Sequence, residues 1–291
     1  MELSSSSIRN VTVIATGSGS LHPEHMYGTR KPTLWWVATS KEWVTVPLNV
    51  FVIEHDEGLV LFDTGIDPAA ATDPDYWPDR ITRWFLDHVF RFDINPGDSL
   101  ANKLDEAGYR ATDVKVAVLS HLHFDHVGGI SELPNAQFLI APEAWEHLVN
   151  SPHPERDYVP RPQILVPGAT WRLMEFTPTD DPDLSPFTEA FDVMGDRSLM
   201  VVPTPGHMPG SVSMLIRRAN TPPVLLIGDL TYSEELLLQN QVAATGDKAL
   251  LLESFAKVQA MKAQHPDLVI IASHDTTATN RLATKKATKR K

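Results

Sequence analysis

The chain has 291 residues, 42% of them hydrophobic, with 25 basic and 37 acidic side chains and a net charge of −12. A surface this acidic works against nucleic acid and anionic membranes as partners, and the absence of cysteine removes disulfides, thiolate nucleophiles and thiolate ligands together. The opening MELSSSSIRN lacks the basic and apolar regions of a secretory signal, and no apolar run approaches the roughly 20 residues that span a bilayer, so a cytoplasmic protein without membrane insertion is expected.

In chain order, runs rich in β-branched and aliphatic residues bounded by turn formers predict strands. The first is VTVIATG (11–17), ended by glycine. LWWVATSKEWVTVPLN (34–49) carries Trp35, Trp36 and Trp43, which either core packing or an apolar substrate groove would use. LNVFVIEHDEGLVLFDTG (48–65) reads as two strands joined in a hairpin at Asp56-Glu57-Gly58. Through 75–93, Trp77, Ile81, Trp84, Phe85, His88 and Phe92 recur at helical spacing. That predicts one amphipathic helix, packed on the core or serving as a lid or dimer surface with an aromatic face beside a pocket. DSLANKLDEAGY (98–109) predicts a helix capped by Asp98 or Ser99 and ending near Gly108.

Further strands are expected at 114–121, 136–141, 171–177, 198–204, 211–217, 223–229 and 268–275. PEAWEHLVN (142–150) has proline in a helical first turn, and the acidic, proline-bearing 177–196 reads as a surface excursion. Residues 247–266 predict a helix presenting Leu251, Phe255, Val258 and Met261 on one face and stopping at Pro266. From Arg281 to Lys291 there are six basic residues and no acidic one. The expected organisation is one domain over 1–280 and a solvated basic tail over 281–291. Strands interspersed with helices suggest an α/β protein with sheets covered by helices.

LSHLHFDHVGG (119–129) concentrates three of the 12 histidines in six positions. Imidazole nitrogen and carboxylate oxygen are ligands for zinc and also suit iron, manganese or cobalt. His121 and His123 alternate along an extended backbone and share a face. Asp125 and His126 follow the turn and can face a second ion. Three further ligand types stand at the carboxyl ends of apolar runs: His207 in TPGHMPGS, Asp229 in VLLIGD and His274 in VIIASHD.

LFDTG (61–65), SHLHFDHVGG, TPGHMPGS, IGDLTY and ASHD resemble, in this order and across nearly the whole chain, the motifs of the metallo-β-lactamase superfamily. The resemblance implies an αββα four-layer sandwich with a metal site at strand ends between two sheets. It implies His121, His123 and His207 on one metal, Asp125, His126 and His274 on a second, and Asp229 bridging. Asp63 of FDTG matches a position where a carboxylate orients a ligand histidine through its other ring nitrogen. Within the superfamily the chain is most similar to the N-acyl-homoserine lactone lactonases, the quorum-quenching group. Tyr232 in GDLTY falls where that group holds a tyrosine over the metals, and Asp229 lies 22 residues beyond His207 as it does there. His126 after Asp125, and the lack of cysteine, depart from many zinc β-lactamases.

The implied chemistry is dinuclear hydrolysis. Two divalent ions, zinc first among them, share a water and lower its pKa toward neutrality. Against +4 from the metals, Asp125, Asp229 and the bridging hydroxide bring −3, a balance suited to an oxyanion forming on a neutral lactone carbonyl. Tyr232 would polarise that carbonyl and Asp125 would carry the proton to the leaving oxygen. Alternatives left open are a glyoxalase II-like thioesterase, a lactonase for another ring such as a pyridoxolactone, and a non-catalytic metal-binding protein. Structural zinc sites are usually closed by four ligands, often with cysteine, so seven donors without cysteine favour open, water-bearing metals. The resemblance also leaves a homodimer open.

Overall fold

The strand runs assemble into two sheets that meet at the ends where the ligand-type residues stand. The computed structural model describes residues 7–73, 75–77 and 80–283, without the side chains of Arg80, Ile81 and Phe85. The first sheet holds β1 (Ile8–Leu21), β2 (Val44–His55), β3 (Gly58–Phe62), β4 (Phe90–Asp93), β5 (Val114–Val118), β6 (Gln137–Ile140) and β7 (Thr170–Leu173), in the order β4-β1-β2-β3-β5-β6-β7. The second holds β8 (Thr177–Pro178), β9 (Glu189–Asp192), β10 (Leu199–Pro203), β11 (Val212–Ile216), β12 (Val224–Leu226) and β13 (Val269–Ile271), in the order β13-β12-β11-β10-β9-β8.

The expected hairpin is present, with His55 opposite Gly58. β3, β5, β6 and β7 run parallel, as do β12 and β13. Parallel strands buried on both faces read as near-continuous apolar runs, as in β3, β6, β12 and β13, whereas β7 (TWRL) is an edge strand and largely exposed. Inward faces of both sheets share one buried cluster that includes Val52, Phe62 and Val118 from the first sheet and Leu199, Val212 and Leu226 from the second. The helix Lys248–Gln264 covers the outer face of the second sheet. Its side chains Leu251, Phe255, Val258 and Met261, buried as the periodicity predicted, pack with Val202, Leu215, Leu225 and Ile270. Asp247 caps that helix by accepting from the amides of Ala249 and Leu250, and Ser99 caps Leu100–Glu106. With helices outside both sheets, the layers form the expected αββα sandwich.

Three expectations are corrected. β1 does not stop at Gly17; that residue, at φ 111°, lies where the register with β2 shifts between Ala15 and Ser18, so the strand bulges and continues to Leu21. Residues 75–93 are not one helix: Arg80–Val89 is helical and Phe90–Asp93 becomes the edge strand β4 against β1. Trp77 is buried, Trp84 is exposed and stacks on His88, and Ile81 and Phe85 lie outside the described side chains. Residues 177–196 are no excursion. They form β8 and β9 at the edge of the second sheet, with Leu184 and Phe187 buried, and the carboxylate of Asp181 accepts from Arg217 Nη2 at 2.7 Å. Asp181, the buried carboxylate of the segment, pairs with Arg197 and Arg217, a pairing composition does not show.

Arg281 closes the helix Ala278–Leu282 and contacts Glu234; residues 284–291 lie outside the described range. Among the described residues no helix is long and apolar enough to cross a membrane.

Candidate metal centre

Asp63, His121, His207, Asp229 and His274 each follow the carboxyl end of a strand (β3, β5, β10, β12 and β13 respectively). These strand ends are tied together by backbone bonds. Val212 N–H donates to Ser120 O at 2.9 Å, joining the sheets, and Ser273 N–H donates to Gly228 O at 3.0 Å. After His123 the chain turns into the short helix Phe124–Val127, held by Thr64 N–H on His126 O (2.8 Å) and Gly128 N–H on Gly65 O (2.8 Å). Gly128 must lack a side chain, because a Cβ there would lie 1.9 Å from Asp67 N.

The structure brings all seven sequence-predicted ligands together. One ligand atom from each of His121, His123 and His207 falls within 4.8 Å of the others; so do those of Asp125, His126 and His274, and those of His121, His126 and Asp229. Asp229 Oδ2 stands between the two groups, 3.2 Å from His274 Nε2, 3.5 Å from His126 Nε2, 3.8 Å from His207 Nε2 and 3.9 Å from His121 Nε2. Asp125 reaches His274 Nε2 at 3.5 Å and His126 Nε2 at 3.8 Å.

Proton bookkeeping shows what such a cluster lacks. Asp63, fully buried at φ 64°, accepts from Ser120 N–H (2.7 Å) on Oδ1, and from Ser120 Oγ–H (2.9 Å), His126 Nδ1–H (2.8 Å) and Ser273 Oγ–H (3.3 Å) on Oδ2. Ser120 has spent its proton on Asp63, so at 2.9 Å His121 Nδ1–H must donate to Ser120 Oγ. His274 Nδ1–H donates to Pro47 O at 2.9 Å. In all three rings the outer nitrogen holds a proton, so each Nε2 points inward and offers its lone pair whenever the ring is neutral. His123 Nδ1 meets both His121 Nε2 and His207 Nε2 at 3.0 Å, and one proton can satisfy only one of those contacts. His126 Nε2 and Asp229 Oδ1 are buried without a hydrogen-bond partner among the described residues. Electron pairs converging in a buried space require cations, so these residues fit divalent metal ions.

Electrostatics divides the cluster. Burial first, then the neighbouring imidazoles, holds His121 and His123 well below the ordinary histidine range, and burial lowers His207 too. These three are neutral and ready to ligate. Burial opposes charge on His274 and His126 as well, but the carboxylates outweigh it: Asp229 and Asp125 push His274 up to about 9, and Asp229, Asp63 and Asp125 push His126 well above its usual range. Asp229, although buried, is held well below the usual carboxylate range by His274 and His126. Here protons occupy the places a second cation would take.

His123, Asp125, His207, Asp229 and His274 line a cavity of about 370 Å³. Leu21, Val46, Leu48, Phe90, Phe92 and Phe124 form an apolar wall. None of Trp35, Trp36 and Trp43 lines it: Trp36 is buried in the core, Trp35 is exposed, and Trp43 lies under the guanidinium of Arg91. Tyr232, stacked on His274 with ring centroids 5.8 Å apart, faces the cavity. Burial, then Asp229 and Asp125, pushes its phenol well above the usual range, so it stays a donor. Sequence reasoning missed Ser120 and Ser273 behind Asp63, and His25 and Tyr158 in the cavity wall. Ser120 and Ser273 stand immediately before ligand histidines in both SH motifs, a signal that was present; nothing local marks His25 or Tyr158.

The family model described as the metallo-β-lactamase superfamily matches residues 44–274. The N-acyl homoserine lactonase AttM of Rhizobium radiobacter is 28% identical over 243 residues, 79% of this chain and 82% of that protein. An N-acyl homoserine lactone hydrolase solved with N-hexanoyl-L-homoserine at its catalytic metal centre superposes with a TM-score of 0.75 at 20% identity, over 97% of this chain and 98% of its own. AidC, a dizinc quorum-quenching lactonase, superposes at 0.65 with 17% identity, over 96% and 93%. Both solved structures share the fold.

Proposed function

The chain belongs to the metallo-β-lactamase superfamily, a family of metal-dependent hydrolases, and from that premise we propose that it is a dinuclear lactonase opening the ring of N-acyl-homoserine lactones. The observation that carries the reading is the convergence of seven nitrogen and oxygen donors, five of which line a cavity that also has an apolar wall. The naming of AttM supports the substrate class. In this reading His121, His123 and His207 would hold one ion and Asp125, His126 and His274 the other, with Asp229 between the two groups able to serve both. Two bound divalent ions, zinc in the first instance, would supply an acidified water and Lewis acidity toward the carbonyl.

The chain's own groups do the rest. The Tyr232 phenol, kept protonated by its surroundings, donates to the lactone carbonyl oxygen as negative charge develops there. Asp125, at the edge of the cavity floor, accepts a proton from the attacking water and returns it to the ring oxygen as the C–O bond breaks. Water adds across the ester and a hydroxy acid leaves. The apolar wall takes the acyl tail and excludes water from it. One domain that runs through the helix Ala278–Leu282, with the basic tail beginning after it rather than at Arg281, a homodimer and a cytoplasmic location complete the proposal.

The test compares ring opening of a long-chain N-acyl-homoserine lactone with hydrolysis of a glutathione thioester, with metal analysis on the same sample. Lactone turnover with two metal equivalents per chain is expected. Thioester turnover alone, or lactone turnover unaffected by a chelator, would overturn the reading.

A further inference from the structure

His25 lies in the short helix Pro23–Tyr27 and is 6% exposed. Its ring is enclosed edge-on by Trp36, Phe90 and Tyr232, with centroids at 6.3, 5.4 and 6.4 Å, and it forms part of the cavity wall. Its backbone is engaged, donating to His22 O and accepting from Ala244 N–H, both at 2.9 Å. Among the described residues, neither ring nitrogen has a hydrogen-bond partner. The contrast with other buried histidines is informative. His22 donates from Nδ1 to Glu42 O at 2.9 Å, and His55 accepts from Glu57 N–H and donates to Asp196. The fold satisfies those rings and leaves His25 bare, in a surround where phenylalanine or leucine would pack at no polar cost. Burial, then the nearby His207, pushes its pKa down to about 4, so the ring is neutral and offers one donor and one acceptor.

We propose that His25 is a substrate-positioning residue that binds the acyl amide of the lactone and selects amide-bearing lactones over plain alkyl lactones. The inference rests on the lactonase reading and deepens it. In an N-acyl-homoserine lactone the amide nitrogen is two bonds from the scissile carbonyl carbon, about 2.5 Å away, and the acyl tail follows. The cavity wall presents matching groups in the same order: Tyr232 for the carbonyl oxygen, His25 beside it, then Phe90 and the apolar surface. A neutral imidazole suits an uncharged amide, because it can donate to the amide oxygen or accept from the amide N–H without a charge to desolvate.

The experiment measures kcat/KM of the metal-loaded wild type and of His25→Phe on two substrates of matched length, N-decanoyl-homoserine lactone and an alkyl γ-lactone without the amide. His25→Leu, which removes both nitrogens without adding a ring, is read the same way, and His25→Gln tests rescue. Metal content and Tm of each variant check that the fold persists. The expected loss on the amide substrate is about 10- to 100-fold, mostly in KM, and at least about tenfold larger than the loss on the γ-lactone, with partial recovery in His25→Gln. Equal losses on both substrates would overturn the role of His25 while leaving the lactonase reading intact. Turnover of neither lactone by the wild type would overturn both.

Discussion

Replacing Asp63 by asparagine tests how the metal centre is held, because it changes hydrogen-bonding polarity and almost nothing else. Asparagine tolerates the left-handed backbone at φ 64° as aspartate does, and its volume fits the same buried site. The amide oxygen keeps the bond from Ser120 N–H, a backbone donor that cannot turn. The NH₂ then faces the three donors that Oδ2 accepted: Ser120 Oγ–H, Ser273 Oγ–H and His126 Nδ1–H. The two hydroxyls can rotate. The imidazole can escape only by moving its proton to Nε2, the atom 3.5 Å from Asp229 Oδ2, which removes the lone pair meant for metal. A hydrogen bond to a charged acceptor contributes about 1.5–3 kcal/mol, and partners behind metal ligands typically change affinity about 10- to 100-fold; the two figures agree. The expected outcome is a 10- to 100-fold weaker affinity confined to one of two sites, measured by competition with a chromophoric chelator. Two unchanged affinities, or a loss at the site of His121, His123 and His207 with the other intact, would refute the tautomer argument.

Further expectations follow from the same geometry. Tyr232→Phe should retain both metal equivalents and lose about 10- to 1000-fold in kcat; unchanged turnover would remove the phenol from the reaction. His121→Ala and Asp229→Ala should lower metal content, and two equivalents remaining by elemental analysis would contradict the ligand set. Because ligand imidazoles must be neutral, metal uptake at pH 7 should release protons from His126 and His274, seen calorimetrically as a buffer-dependent heat; no buffer dependence would contradict the assigned protonation. Since His274 in the metal-free chain lies at about 9, above its usual 6.5, its charge contributes stability that is complete below pH 6.5 and lost as pH rises through 9. That contribution is roughly 3 kcal/mol, and chelated protein should melt lower at pH 9 than at pH 6.5. A Cβ at Gly19 would meet Leu48 and Phe92 at ordinary distances of 3.7 and 4.0 Å. Gly19→Val should therefore fold, narrow the cavity and shift preference toward shorter acyl chains in a chain-length series.

The sequence by itself determined where most of the strands lie and which ligand-type residues follow them. Apolar runs carry their own signal, and ligand-type residues at run ends, His121, His207, Asp229 and His274, could be named with no knowledge of how the sheets pack. Helix limits were also legible where local chemistry sets them, as with the Ser99 cap and the Pro266 stop. Legibility failed where one pattern serves two backbones: 75–93 has helical spacing, yet Phe90 and Phe92 gain more by pairing with β1 and lining the cavity than by extending a helix. It failed again at 177–196, where acidic residues implied water, yet Asp181 is buried and takes Arg197 and Arg217 as partners. Only the tertiary structure decided which lone pairs face inward, since that depends on Asp63, Ser120 and Pro47 meeting histidines far away in the chain. It alone left His25 beside Tyr232 with no hydrogen-bond partner for its ring among the described residues, because a histidine's environment is set by what folds around it rather than by its neighbours in sequence.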